Sequence, residues 1–327
     1  MQSQDGRIPS FHIIADSIPE AHYKAIESVW NNGIQIRTQY DRKNSKGEYI
    51  EPPSRDASVL IEIKNPFSEP RFPPTSFCEI GKYILEMMGG KNHLVIPRNK
   101  LLKGIEENNL ESKWPYAYNQ RLTEYPSSLG ELNQIESAVS RIAESYFTRR
   151  AVMTTRCPEI DMNLKEDIPC LGEMHLRCPK NEQGSLVLNL TSSWRSRDLF
   201  KAWPDNVIGI TYLGKRKIAK QIEEKTGIST KLGSYKDFSY SLHIYGQDFT
   251  RIEGDKEIGK KSFFEIFPNV ESYIKRSMTS ETARDILILP QMKELLNEEQ
   301  IKQWDFTGKE IKIILEEIGY LESGGLP

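Results

Sequence analysis

From Ala151 onward the chain is written in short extended runs, Ala151–Thr155, Glu173–Arg177, Ser185–Leu190 and Ser239–Tyr245, and one long helical pattern, Asn206–Thr226, separates the last two. Runs of this length and alternation suit half-buried strands. Nowhere do strand and helix alternate in a βαβ rhythm, and no glycine-rich nucleotide loop follows a strand. The pattern therefore calls for an α+β fold and excludes a doubly wound one.

The first half is mostly helical. Ile18–Gly33 carries an apolar stripe of Ala21, Ala25, Ile26, Val29 and Trp30, and Gly33 stops it. The polar run Asp41–Arg55 reads as a loop before a strand at Ser58–Ile63. A helix is expected over Thr75–Met88, ended by Gly89-Gly90, and another over Gly130–Ser145, with Leu132, Ile135, Val139 and Ile142 on one face. Beyond Asp248 the chain turns charged, with helices expected at Val270–Arg276, Thr282–Leu296 and Gly308–Gly319. The division expected is a main domain over 1–250 and a charged helical C-terminal extension over 251–327.

Bulk properties narrow the function. With 44 basic against 46 acidic side chains the formal charge is −2, so no global positive field exists to hold a nucleic acid, and a phosphate site has to be local. Four cysteines, at 78, 157, 170 and 178, form no CxxC pair, which suits free thiols in a reducing cytoplasm. No secretory leader and no apolar run of about 18 residues occurs, so a membrane partner is not expected.

Five local features carry chemistry: Trp114-Pro-Tyr-Ala-Tyr118 with Arg121; Arg149-Arg150; Ile168-Pro169-Cys170; Arg195-Ser-Arg-Asp198 followed by Ala202-Trp-Pro-Asp-Asn206; and His243-Ile-Tyr245. Singly each is bland. A lone cysteine is most often a small inert hydrophobe, an Arg-Arg pair a solvated surface, and a His-x-Tyr a half-buried pair on a strand. Their order and spacing resemble the thymidylate synthase and pyrimidine nucleotide hydroxymethylase superfamily, over roughly Asp41 to Asp248. The words Ala202-Trp-Pro-Asp-Asn206 and Pro169-Cys170-Leu171 are similar to archaeal-type members; Leu171 departs from the commoner Pro-Cys-His.

The resemblance implies a mixed sheet with flanking helices, catalysis within the main domain over 1–250, an obligate homodimer with shared active sites, and 5,10-methylenetetrahydrofolate as co-substrate, with no metal. It implies Cys170 as the nucleophile that adds to C6 of a pyrimidine nucleoside monophosphate, because C5 alone is too weak a nucleophile to take a one-carbon unit. It implies Arg195 and Ser196 at the nucleotide phosphate, with Arg149 and Arg150 reaching the neighbouring protomer's phosphate and Arg42 contributing from the early loop, where Arg37 and Arg55 are substitutes. Asn206 corresponds to the amide that reads the base, and many deoxycytidylate hydroxymethylases carry aspartate there, so a uracil nucleotide is favoured. Asn206 as a helix N-cap after Pro204 is the alternative. His243 and Tyr245 correspond to the pair at the sugar hydroxyl, Asp198 to the carboxylate at the folate pterin, and Tyr118 to a residue near the thiol. Cys157 and Cys178 are read as structural.

The family also places a proton-relaying glutamate on an early helix. Counting back from Tyr118 without gaps lands on Lys82, and a slip of a few residues reaches Glu79 or Glu86. Glu79 is expected to be the more buried and is the first choice. The expected activity is one-carbon transfer to C5, with dUMP or UMP preferred; a 5-hydroxymethylase is the alternative, and a non-catalytic nucleotide-binding relative the second. The family closes over the folate with C-terminal residues, whereas this chain runs on well past His243 to Glu322-Ser-Gly-Gly-Leu-Pro327.

Overall fold

Ser17 opens the first helix: its hydroxyl accepts from the Glu20 N–H, and Pro19 sits in the first turn, where its missing N–H costs nothing. The helix, Ile18–Asn32, buries Ala21, Ala25, Ile26 and Val29 as the stripe requires and is capped by Gly33. A Cβ on Gly33 would lie 2.5 Å from the Val29 carbonyl oxygen, so the chain turns there only because the side chain is absent. The computed structural model describes residues 6–75, 77, 79–107, 114–128, 130–164 and 167–327; Cys78 lies outside the described residues.

Among the described residues there are ten strands: β1 Ser10–Ala15, β2 Ile34–Ile36, β3 Ser54–Ile63, β4 Tyr125–Ser127, β5 Gly130–Leu132, β6 Val152–Thr154, β7 Leu171–Arg177, β8 Leu186–Trp194, β9 Arg197–Asp198 and β10 Thr230–Ile244. The chain separates into two units. The first joins Met1–Ser76, Trp194–Pro204 and Tyr235–Thr279; the second joins Phe77–Ser193, Asp205–Ser234 and Ser280–Pro327.

In the first unit β3 lies between β1, which is parallel to it, and β10, which is antiparallel. The connection from β1 through the first helix to β3 is thus one βαβ crossover, which the sequence pattern did not reveal. It is not repeated as an alternating series, and the mixed sheet with flanking helices is an α+β arrangement. Residues 263–278 pack aromatic side chains onto the first helix: the ring of Tyr273 lies 5.9 Å from that of His22, and Tyr23 lies 5.8 Å from Phe263. Burying such rings contributes about 2 kcal/mol each.

In the second unit β7 pairs antiparallel with β6, with Met153 opposite Met174, and lies next to β8. The expected helix over Thr75–Met88 begins only at Ile80, and that over Gly130–Ser145 only at Gln134, where Asn133 caps it and β5 takes the preceding residues. The helix expected from Asn206 begins at Ala202, because Pro204 is tolerated in a first turn, and it continues through a wider π segment, Gly214–Ala219, to Thr226.

Residues 280–327 form helices packed within this unit. The Gln291 amide oxygen accepts from Gly81 N–H at 2.7 Å, and the Glu317 carboxylate, nearly fully buried, takes Tyr212 and Arg216. No helix among the described residues is long and apolar enough to cross a membrane.

Candidate active site

The second unit places the thiol. Cys170 is half-buried just before β7, after the turn in which Asp167 takes φ 54°. The backbone that follows is pinned: Thr155 Oγ1 donates to the Leu171 carbonyl, and Thr155 N–H donates to Gly172 O at 2.9 Å. Tyr118 lies beside this turn. Burial first, and then the neighbouring Tyr116, Cys170 and Tyr83 groups, hold its hydroxyl protonated well above the ordinary range, partly offset by a hydrogen bond to the Leu171 main chain.

The residue after it, Asn119, fastens this helix to another. Its amide donates to Met87 O at 2.7 Å, and its oxygen accepts from Asn92 at 3.1 Å. Gly89 ends the helix Ile80–Met88 at φ 102°, and a Cβ there would strike Asn119. Arg121, fully buried, pairs with Asp161 at 2.7 Å.

On the helix Ile80–Met88 the two glutamates differ. Glu79 precedes the helix, is 63% exposed and pairs with Lys82 at 2.8 Å, which holds its carboxyl below the usual range. Glu86 is half-buried, its side chain 18% exposed, and desolvation raises its carboxyl, only partly countered by Lys91 at 3.8 Å. The expectation that Glu79 is the more buried is therefore corrected: it stands at the N-cap, ahead of the helix whose last turn carries the less exposed Glu86.

Asn206 sits inside the helix Ala202–Leu213, not at its N-cap, is 7% exposed, and donates from Nδ2 to the Tyr83 hydroxyl at 2.7 Å. Tyr83 can lie there because Gly209, one turn on, has no Cβ; one would meet the Tyr83 ring at 2.6 Å. Asp205 beside it has a buried Oδ1 with no hydrogen bond, and burial pushes its carboxyl up to about 7.

The first unit gathers the remaining residues around β10. A bulge between Ser239 and Leu242 offsets that strand by one residue, so that His243 opposes Asp56 on β3, whereas the register before the bulge would have set it against Arg55. On its other side His243 neighbours Asp198 on β9. Ser241 donates to Asp56 Oδ2 at 2.8 Å and lies 3.3 Å from His243 Nδ1.

With the hydroxyl proton given to Asp56, the serine oxygen accepts from Nδ1–H, and the ring presents Nε2 as an acceptor. That nitrogen is buried and has no partner. Burial lowers the ring to about 4 and pushes the Asp56 carboxyl up to about 6. The Tyr245 ring meets His243 edge-on at 4.4 Å.

Asp198 Oδ1 accepts from the N–H groups of Phe200 and Lys201, at 2.8 and 3.1 Å. It lines a cleft of about 330 Å³ with Tyr40, Glu51, Lys201 and Tyr245. Arg42 is held by the Glu51 carboxylate at this cleft, and Arg37 by Asp41 and the Glu51 carbonyl. Arg55 is half-buried over the Trp30 ring.

Arg195 is exposed and Ser196 half-buried, while the alternate Arg197 points inward to Asp237 at 2.6 Å and over the Trp194 ring. Arg149 and Arg150 are exposed in the second unit. Cys157 and Cys178 are buried, and desolvation pushes the Cys178 thiol up to about 12.

Within the second unit Tyr118 neighbours both Cys170 and Tyr83, and Tyr83 reaches Asn206, while Glu86 is paired with Lys91; within the first, Asp198 and Tyr245 share the cleft with Glu51, the partner of Arg42, and both neighbour His243. The sequence did not reveal Tyr83, Asp56, Ser241 or Asp205. The gapless count to Lys82 ended one residue short of Tyr83; the two partners of His243 depend on a bulge that leaves no mark in the residue pattern.

No family model matches the chain. Curated relatives do. A protein of Methanothermobacter thermautotrophicus named "Putative thymidylate synthase" is 30% identical over 246 residues, covering 75% of this chain and 97% of the relative. One of the same name from Methanopyrus kandleri is 31% identical over 229 residues, 69% of this chain and 92% of the relative. One from Methanosarcina mazei is 26% identical over 245 residues, 74% and 92%. Among solved structures, a thermostable thymidylate synthase A from Bacillus subtilis superposes with a TM-score of 0.48 at 18% identity, over 71% of this chain and 81% of that one. With near-complete coverage of relatives at 30% identity and above, the chain belongs to the thymidylate synthase family.

Proposed function

We propose that the chain transfers a one-carbon unit from 5,10-methylenetetrahydrofolate to C5 of a pyrimidine nucleoside monophosphate, with uracil the preferred base, through a covalent adduct at Cys170. The observation that carries this reading is the half-buried Cys170 beside the Tyr118 hydroxyl, on a backbone pinned by Thr155. Cys170 adds as thiolate to C6; the C6–S bond forms and the ring's electron pair moves toward C5 and O4, which makes C5 the nucleophile. Asn206 pairs the base edge, where an amide both donates and accepts. Glu86, half-buried and protonated more readily than a free carboxyl, relays protons at the ring carbonyl, a role for which the exposed Glu79 is less suited.

Arg195 and Ser196 bind the phosphate, with Arg42 beside them once it exchanges Glu51 for the ligand. Arg149 and Arg150 serve the partner protomer's phosphate in a homodimer. His243 Nε2 accepts from a sugar hydroxyl, and Tyr245 assists. Asp198 suits a pterin, because Oδ1 takes both backbone donors and leaves Oδ2 for ring N–H groups in a cleft walled by Tyr40 and Tyr245. The folate, when bound, supplies the methylene carbon and, for a methyl product, the hydride.

One observation favours a second reading, 5-hydroxymethylation: residues 280–327 are packed on the second unit's own helices, which leaves this segment less available as a cover that keeps water from the exocyclic methylene. Cys170 departs at the last step in either case. Incubating the protein with methylenetetrahydrofolate and each of dUMP, UMP, dCMP and CMP, then weighing the nucleotide, separates a methyl from a hydroxymethyl gain by one oxygen. No mass gain on any of the four removes the enzymatic reading and leaves a nucleotide-binding relative.

A further inference from the structure

Three residues of one helix sector compete for the polar role opposite the base: Glu79, Tyr83 and Glu86 lie within about 60° of one another around the helix axis. Only Tyr83 is hydrogen-bonded to Asn206. We propose that Tyr83 is the positioning residue that sets base choice: its hydroxyl holds the Asn206 carboxamide in one of its two senses, and that sense decides whether uracil or cytosine is accepted. The inference rests on the reading of Asn206 as the base-reading amide.

The chemistry follows from the amide itself. Uracil presents an N3–H donor beside an O4 acceptor; cytosine presents an N3 acceptor beside an amino donor. A carboxamide satisfies either pair, but only by turning through 180°, which exchanges its oxygen and nitrogen. Left free to turn, Asn206 would discriminate weakly. In the structure Nδ2 is tied to the Tyr83 oxygen at 2.7 Å, and a turned amide would bring its oxygen to the same hydroxyl and need that hydroxyl to donate. A phenolic hydroxyl can do either, so the two senses are unequal to the extent that the Tyr83 proton is directed away from Asn206, as the observed sense has it.

Its position is built. Asn206 is 7% exposed, and the Tyr83 ring lies over Gly209, where a Cβ would approach to 2.6 Å from the ring and 3.0 Å from Met87. A larger residue at 209 would displace the ring and with it the hydroxyl.

The experiment compares kcat/KM and Kd for UMP against CMP, and for dUMP against dCMP, in the wild type, Tyr83→Phe and Gly209→Ala. Thermal melting of each variant confirms folding. The ratio between bases in the wild type, whichever base it favours, is expected to fall toward unity by about fivefold or more in both variants, the loss that follows from freeing one buried polar partner. Affinity for ribose 5-phosphate, which lacks the base, is expected to stay within about twofold, since phosphate and sugar contacts are untouched.

Tyr83→Phe keeps the ring and its packing, so it tests the hydroxyl alone. A folded Tyr83→Phe variant whose base ratio changes by less than fivefold overturns the inference while the enzymatic reading stands. A wild type that binds none of the four nucleotides overturns both.

Discussion

The two units hold their candidate groups by different physics. Around Cys170 and Asn206 the groups that hold direction are hydroxyls and amides, Tyr116, Tyr118, Tyr83 and Asn119, with the raised Asp205 carboxyl as the ionisable neighbour. Around His243 they are ionisable: Asp56 with its carboxyl raised to about 6, the imidazole lowered to about 4, Asp198, and the Arg42–Glu51 pair. Neutral hydrogen bonds fix direction at modest cost; charges fix which ligand groups are welcome. The first unit should therefore govern affinity, and the second chemistry and base choice.

The sharpest break of that contrast is Cys170→Ser. Turnover should fall on the order of 10⁴-fold while nucleotide Kd moves by no more than about threefold, because the nucleophile acts only in the reaction. Near wild-type turnover would end the adduct mechanism. Mixing this chain with Arg150→Ala should restore activity to about a quarter of wild type after subunit exchange, since half the dimers then own one complete site. Continued inactivity despite demonstrated exchange would remove the shared site.

Next is Asn206→Asp. A carboxylate cannot donate to uracil O4, so preference should move toward cytosine by about 5- to 150-fold in kcat/KM with the sugar fixed. A shift in the other direction would assign base choice elsewhere.

Two buried groups, one in each unit, also predict opposite slopes of stability with pH. His22, stacked on Trp203 at 5.3 Å, donates from Nε2 to Leu199 O and accepts at Nδ1 from Tyr273; burial lowers it from 6.5 to about 4. The unfolded ring takes its proton first as pH falls, so its contribution is present above 6.5 and drains away down to 4, by about 3 kcal/mol in total. Asp205 in the second unit is raised from 3.8 to about 7, so stability is present below 3.8 and declines as pH rises to 7. Asp205→Asn should then stabilise the protein by about 2 kcal/mol at pH 8 and little at pH 4 in urea denaturation. A gain confined to acid pH would contradict the burial of that carboxyl. An NMR titration in which His22 charges near 6.5 would do the same for the ring.

The smallest effect expected is Ser241→Ala. Losing the hydroxyl that sets the His243 tautomer should weaken nucleotide binding by about fivefold with kcat nearly unchanged, and the loss should vanish for a nucleotide lacking the sugar hydroxyl. A fall in kcat alone would place Ser241 on the chemical side of the comparison.

What the sequence made legible divides along the same line. The α+β class was readable from strand alternation, and the spacing from Tyr118 through Tyr245 carried the family, because contacts to a ligand of set shape impose residue types at set intervals. The parallel β1 was missed because Ser10–Ala15 is short and sits before a helix with no loop signal. Glu79 and Glu86 were indistinguishable by periodicity, since they share a helix face; only the helix start at Ile80 separates them. Tyr83 was passed over because a tyrosine on an apolar helix reads as core, and nothing local marks Gly209 as the space that receives it.

The bulge in β10 has a consequence for how this protein can vary. One surplus residue between Ser239 and Leu242 acts as an offset between two rulers: everything before it is graduated against β3 in one numbering, everything after it in another. Substitutions on either side leave the offset intact, so the pairing of His243 with Asp56 tolerates drift in composition. Were the surplus residue drawn into the ladder instead, so that the register before the bulge ran on unbroken, the strand would be re-zeroed, sliding His243 onto Arg55 and exchanging a carboxylate for a guanidinium beside the ring. In this corner of the molecule it is the offset, more than the identity of the residues that make it, that aligns the ring with its carboxylate.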